Sequence, residues 1–348
     1  MILKIGTQQI TDFNEVNVEL KYDSVASTFS FQYRYDGADP LLNLLNSPAS
    51  YADCTIEYVN PETGAKELLI TGTVLNHGFD DTPAAGLNGI SGYSKTGVLE
   101  DCNIPVSLYP LQSDGKSLRQ IVEKLIRPFG ISLIVSEDVS ARASSVIDVS
   151  TAEPSDTIKG YLAKIANQKN ILLSHDANGN LLLTKSRPNA TPKYNFGRQI
   201  PITSAALTFD GQQMHSEITV IKQADSGGGN AGQSTVKNPY VSKFRPSVKI
   251  QSSGDDNSTS FAAKSALANE LRAISLTIDV DTWTDNDGLI WRPNTVITIQ
   301  NSEIALNKLT RFFIESVQFT GNTTRQTATL KCVVPEVHNT QTPINIFA

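Results

Sequence analysis

The stretch Ser91-Gly-Tyr-Ser-Lys-Thr-Gly-Val-Leu-Glu-Asp-Cys-Asn-Ile-Pro105 separates two textures of chain. Upstream of it apolar residues alternate with polar ones; downstream they soon recur at helical spacing. Ser94, Lys95, Thr96, Asp101 and Cys102 make a set that looks reactive on paper. A serine or cysteine nucleophile needs a positioned base, and no histidine lies nearby in sequence. The stretch therefore reads as a strand end followed by a turn.

Working back from it, Val16, Val18 and Leu20 alternate with Asn17, Glu19 and Lys21, and Phe29, Phe31 and Tyr33 repeat the rhythm after a turn. Period two predicts a hairpin with one buried face. Residues 54–59, 67–79 and 87–93 add three strands, the first two parted by the turn chemistry of Asn60-Pro-Glu-Thr-Gly-Ala65. Five or so short strands within residues 1–105 predict a small antiparallel barrel, because closure removes exposed edges.

Working forward, Leu118, Ile121, Val122, Leu125 and Ile126 share one helical face, with Asp114 or Ser117 as cap and Pro128 and Gly130 as stop. A strand at 131–135 follows. The arrangement recurs: Ser155 and Asp156 open a helix carrying Ile158, Tyr161, Leu162, Ile165 and Ala166, and a strand at 171–174 comes next. A small α/β domain is predicted over 106–193. Asp176-Ala-Asn-Gly-Asn180 alternates oxygen ligands as a calcium loop does but lacks the distal glutamate, so it reads as a hairpin turn.

Strands at 202–209, 214–221, 275–280, 295–300, 311–320 and 327–334 predict a second antiparallel barrel over 194–337. It is interrupted at 223–274 by a Gly-rich loop (224–235), a polar stretch (252–260) and an Ala-rich helix (261–273). Those glycines match neither a phosphate-binding P-loop nor a dinucleotide fingerprint. The polar tail, 338–348, is expected to be poorly ordered. The fold class is mainly β with an α+β insertion: two antiparallel β-barrel domains plus a small α/β domain.

Composition excludes several functions. Across 348 residues, 29 Lys and Arg face 35 Asp and Glu, giving a net charge of -6 with no basic stripe to grip phosphates. The cysteines Cys54, Cys102 and Cys332 are too few and too scattered for a zinc cage and read as buried thiols in a reducing compartment. The start of the chain turns polar after five residues, and no apolar run approaches the ~20 residues of a membrane span. A soluble protein made in the cytoplasm is expected. His77, His175, His215 and His338 fall on separate elements, so neither a metal site nor a cofactor is expected. The acid pairs Asp80-Asp81 and Asp255-Asp256 sit in polar loops as solvated charges. Trp283 and Trp291 flank Thr284-Asp-Asn-Asp-Gly-Leu-Ile290 and read either as a sugar platform or interface anchor, or as corner packing.

Three segments carry a family resemblance. Gly92-Tyr-Ser-Lys-Thr-Gly-Val-Leu-Glu-Asp-Cys-Asn103 resembles the Gly-Arg-Ser-Lys-Thr-Ala-Asp-Leu-Val-Asp-Cys-Ser signature that closes the first barrel of Mu-like phage baseplate hub proteins. Phe244-Arg-Pro-Ser-Val-Lys-Ile250 is similar to their Arg-Pro strand, and Gly288-Leu-Ile-Trp-Arg-Pro-Asn-Thr-Val-Ile-Thr-Ile299 to their Leu-Trp-x-Pro-Asn segment. Tyr93 stands where those proteins carry Arg, Gly97 and Val98 where Ala and Asp are common, and Thr282-Trp283 in place of Gly-Trp.

The resemblance implies barrels of the tail-hub type and a non-enzymatic structural protein. Three copies would form a homotrimeric, pseudo-sixfold ring joining the sixfold tail tube of a contractile phage tail to its threefold central spike, with DNA passing through the lumen unbound. The implied partners are the spike, a tail tube or tube-initiator protein and baseplate wedge proteins, with no membrane anchoring. The implied location is the virion's tail baseplate, after assembly in the host cytoplasm. Ser94, Lys95, Thr96, Asp101, Trp283, Trp291, Pro293 and Asn294 become structural or interface candidates. The competing readings are a cell-wall hydrolase or carbohydrate-binding tail component, and the spike base of a type VI-like secretion system.

Overall fold

Side-chain alternation dictates most of the strands, and a computed structural model shows how they pair. It describes residues 1–34, 47–48, 50–80, 87–109, 113–147, 151–197, 200–223, 230–251 and 259–348. The chain divides into a first unit (residues 1–185, 281–291 and 317–328) and a second (186–280, 292–316 and 329–348). Asp81, Asp255, Asp256 and the glycines at 227–229 lie outside the described residues.

The first unit begins with β1 (Ile2–Ile5), β2 (Gln8–Ile10), β3 (Glu15–Lys21), β4 (Thr28–Arg34), β5 (Asp53–Val59), β6 (Lys66–Gly78) and β7 (Leu87–Ser94). They pair antiparallel in the order β3-β4-β7-β6-β5-β1-β2. Leu3, Val18, Phe31, Ile56 and Ile70 are buried in this sheet. Register shifts at Ile56/Glu57 and at Val74/Asn76 bend it, as bulges do. Gly92 lets β7 cross close to β6: a Cβ there would stand 2.0 Å from the Thr73 carbonyl oxygen. The hairpin β1–β2 is absent from the sequence reading, because strands of four and three residues are too short to show a period.

After β7 a 3-10 turn (Lys95–Gly97) and α1 (Val98–Asp101) lead into the α/β part. It contains α2 (Leu118–Ile126), β8 (Leu133–Val135), α3 (Glu137–Ser144), α4 (Ile158–Gln168), β9 (Leu172–His175) and β10 (Leu181–Thr184). β10 runs parallel to β8 and antiparallel to β9. Of the two candidate caps for α2, Ser117 is the cap, in a reciprocal capping box with Gln120. Thr157 caps α4, one residue beyond the expected Ser155-Asp156 start. No period in the sequence marks α3: only Val139 and Ala143 are buried along it, too few apolar positions to reveal a helical face. The segment 176–180 is the predicted hairpin turn, with Gly179 at φ +79°. Leu99, Leu118, Val122, Leu125, Leu162 and Leu181 form one core, into which Val25 inserts from the loop after β3.

The second unit holds β11 (Tyr194–Phe196), β12 (Ser204–Phe209), β13 (Glu217–Gln223), β14 (Asn230–Lys237), β15 (Pro246–Gln251), α5 (Thr259–Glu270), β16 (Ile274–Val280), β17 (Thr295–Asn301) and parts of β18 (Leu306–Asn322) and β19 (Gln326–Val333). β12 pairs antiparallel with β16 and β17 with β18, while β11 runs parallel to β17. A separate three-stranded sheet has the order β14-β13-β15.

Three expectations require correction. Residues 230–235 of the stretch read as a Gly-rich loop belong to β14, because pairing to β13 supplies the backbone partners that composition does not reveal. The tail is tied down: after α6 (Glu336–Asn339), the Tyr240 hydroxyl donates to the Ile344 carbonyl (2.8 Å) and Phe347 packs edge-on against Phe209. The described pairings are also mainly antiparallel without closing into barrels, since no described pair joins β2 to the far end of its sheet.

Candidate functional site

Among the described residues no group of histidine, cysteine and carboxylate side chains could hold a metal ion. Burial pushes the Cys54 thiol up to about 12 and raises Cys332 as well, so neither is a nucleophile near neutral pH. No described helix is long and apolar enough to cross a membrane.

Two clusters bring a serine against a histidine. His175 Nδ1 lies 2.9 Å from the Ser24 carbonyl oxygen, so it carries the proton, and Nε2 accepts from the Ser27 hydroxyl at 2.8 Å. Burial lowers the His175 pKa, against the smaller raising effect of the Ser24 hydrogen bond. In the second unit His338 touches Ser186 Oγ (3.1 Å) through Nδ1 and Glu315 Oε1 (2.8 Å) through Nε2. Sequence separation hid both clusters. Neither serves as a nucleophilic site: Ser27 is 1% exposed and its oxygen already accepts from the Lys21 N–H, while Ser186 is 8% exposed and Arg272 pairs with the same Glu315 oxygen at 2.5 Å. Both networks tie distant segments together.

The seam at 91–105 is built the same way. Ser94 is buried, and its N–H donates to the Ser27 carbonyl (2.8 Å) while its hydroxyl accepts from the Ser27 N–H (3.1 Å). Thr96 is fully buried beside it, its hydroxyl 3.4 Å from that of Ser94. Lys95 Nζ donates to the Gly130 carbonyl at 2.7 Å, and its stem lies so close to Gly179 that a Cβ there would approach to 2.9 Å. Lys95 thus ties the strand end to two loops of the α/β part. Asp101 is exposed and accepts a hydrogen bond from Tyr93, whose phenol is raised well above its ordinary range, first by burial and then by that bond. Glu100 pairs with Lys159 of α4 (2.6 Å), and the Ile158 N–H donates to the Cys102 carbonyl (3.0 Å).

The tryptophan loop is a second packed corner. Trp283 and Trp291 are 5% and 1% exposed. Trp283 Nε1 donates to the Thr320 and Thr327 carbonyls (3.0 and 3.2 Å), and Trp291 Nε1 to the Thr282 carbonyl (3.0 Å). Asp285 accepts from the N–H groups of Asp287 and Leu289 and closes the loop. Burial leaves neither indole a face on which a sugar could stack. Pro293 and Asn294 lead into β17: Asn294 adopts φ 60°, donates its N–H to the Ile314 carbonyl (2.9 Å) and accepts from the Arg187 N–H (3.0 Å). Two depressions among the described residues are open to solvent. An open, polar groove of ≈ 450 Å³ is lined by Glu15, Asn17, Gln32, Asn322 and Arg325, and one of ≈ 550 Å³ runs along the tied-down tail.

Comparison with known proteins gives these packed corners a context. Residues 96–185 match the family described as baseplate hub protein gp44-like, second domain. The baseplate hub protein gp44 of Escherichia phage Mu is 26% identical over 251 residues, covering 66% of this chain and 62% of that protein's own length. Among solved structures, the 43 kDa tail protein of prophage MuSo2 from Shewanella oneidensis superposes with a TM-score of 0.79 at 20% identity, covering 97% of this chain and 98% of the other. A tail protein from Neisseria meningitidis gives 0.78 at 18% identity, with 98% of each chain covered. At these identities the two structures establish the shared fold.

Proposed function

We propose that this chain, a relative of the Mu-like phage baseplate hub proteins through its gp44-like second domain, is the baseplate hub protein of a phage tail. The observation that carries the reading is the match of residues 96–185 to the hub family, set in a fold that follows a prophage tail protein over 97% of the chain. What the matched residues Thr96, Leu99 and Asp101 do here agrees with it, as does Lys95 just before them: they hold elements together and present no reacting group.

In this reading three copies form a ring at the tail tip, each contributing its two strand-rich units. Six strand-rich units under threefold symmetry meet both a sixfold tube and a threefold spike, the remaining partners being baseplate wedge proteins. The residues are supplied by a strand-rich surface, and an obligate ring needs interfaces on the order of 2,000 Å². DNA passes through the lumen unheld, in keeping with the net charge of -6. Ser94, Lys95, Thr96, Asp101, Trp283, Trp291, Pro293 and Asn294 act by fixing the corners from which those contacts are presented.

Mass photometry across a concentration series tests this. A species of three chains supports the hub, and a chain that stays monomeric at the highest concentration overturns it. Peptidoglycan release discriminates the hydrolase reading: the hub account expects none, and activity abolished by changing a single acid would replace it.

A further inference from the structure

The sheet β14-β13-β15 has two unlike faces. Helix α5 packs over one, burying Ile218 and Val220 of β13 against Ala263, Leu267 and Ala268. The register assigns the other: Thr219 lies opposite both Thr235 and Val248, and Ile221 opposite Ile250, so these side chains share the uncovered face. Val248 and Ile250 are 63% and 71% exposed, and Phe244, just before the strand, is 80% exposed. Among the described residues β15 pairs with β13 alone, so a strand edge accompanies the apolar face. Soluble chains avoid that combination unless something covers it.

Charge identifies the occupant. Residues 236–251 contain Lys237, Lys243, Arg245 and Lys249 and no acid; Lys249, opposite Val220, belongs to the helix-covered face and pairs with Glu270 (3.6 Å), while Glu217, opposite Lys237, is the single carboxylate of the three strands. The second unit has 14 Lys and Arg against 10 Asp and Glu, a net of +4, whereas the first has 15 against 25, a net of -10. An apolar face rimmed by cations complements the acidic unit of its own chain type.

We propose that this face docks head to tail on the acidic first unit of a second copy, with Phe244, Val248 and Ile250 as the buried centre and Lys237 and Lys243 at the charged rim. A heterologous contact of this kind closes into a ring when its rotation permits. The assignment rests on the hub reading above and adds the surface through which copies meet.

The test uses the full chain: wild type, V248D/I250D and V248T/I250T, which stays β-branched and uncharged, studied by sedimentation, together with a photo-crosslinking residue at position 248 mapped by mass spectrometry. V248D/I250D should weaken assembly by about tenfold or more. V248T/I250T should weaken it less while melting as wild type does, which separates lost contact from lost fold. Raising salt from about 50 to about 500 mM should weaken wild-type assembly severalfold, and the crosslink should join position 248 to peptides of residues 1–185. Rings indifferent to both variants, or crosslinks falling within 186–280, overturn this face while leaving the hub reading standing. A wild-type chain that never assembles overturns both.

Discussion

The Tyr93 ring lies flat against Gly97, where an added Cβ would stand 2.5 Å from the ring carbons. The hub signature that this stretch resembles has Arg and Ala at these two places. A tyrosine ring takes the room of the alanine methyl, and its hydroxyl keeps a contact with Asp101 that an arginine would make as an ion pair. Tyr93 and Gly97 thus pack as a complementary pair. Gly97→Ala should cost about 1–3 kcal/mol by overpacking, and the cost should largely vanish in a Tyr93→Ala background. A denaturant double-mutant cycle checks this, and additive costs would contradict the contact.

Leu99, fully buried between the strand end and the α/β core, anchors the same turn from below. Leu99→Ala should lose about 2–5 kcal/mol. Hydrogen exchange should show the loss in α2 and α4, which share that core; protection unchanged there would mean that the seam and the α/β part do not fold as one.

His175 sets an acid limit. Its folded pKa is depressed by burial, so its contribution is fully present above the unfolded value near 6.5 and is lost as pH falls through the lower folded value. Protonation would also remove the acceptor used by the Ser27 hydroxyl. Melting temperatures from about pH 7 down to about pH 5 should fall for wild type and fall less steeply for His175→Gln. Equal slopes would place the acid sensitivity elsewhere.

Trp283 spans two carbonyls on neighbouring strands and lies where Gly321 leaves room, an added Cβ there meeting the indole at 2.5 Å. Trp283→Phe keeps most of the apolar area but orphans the Thr320 and Thr327 carbonyls, at a cost of about 1–3 kcal/mol. Wild-type indole fluorescence should be insensitive to acrylamide and to added peptidoglycan fragments. A sugar-dependent change would revive the carbohydrate reading.

Sequence reading found the elements that carry a period and missed those that do not. The alternation Val16-Val18-Leu20 and the face Leu118-Ile121-Val122-Leu125 announce their elements unaided, because burial on one side imposes the spacing. β14 has no apolar rhythm, since its neighbours and α5 supply what holds it. α3 buries two residues, and the tail is held by Tyr240 and Phe347 across a hundred positions of chain. The site residues were legible as a motif and silent as contacts: nothing in Ser94 or Lys95 predicts Ser27 or Gly130 as partners, because such pairings belong to tertiary folding. The seam's apparent chemistry resolved into anchoring once those partners were known.

The most direct test of the hub account is an image of the assembled particle's tail tip by electron cryo-microscopy. The account predicts density for three copies of this chain in a ring between the tail tube and the central spike. Finding the chain elsewhere on the particle, or in another copy number at the tip, would contradict it.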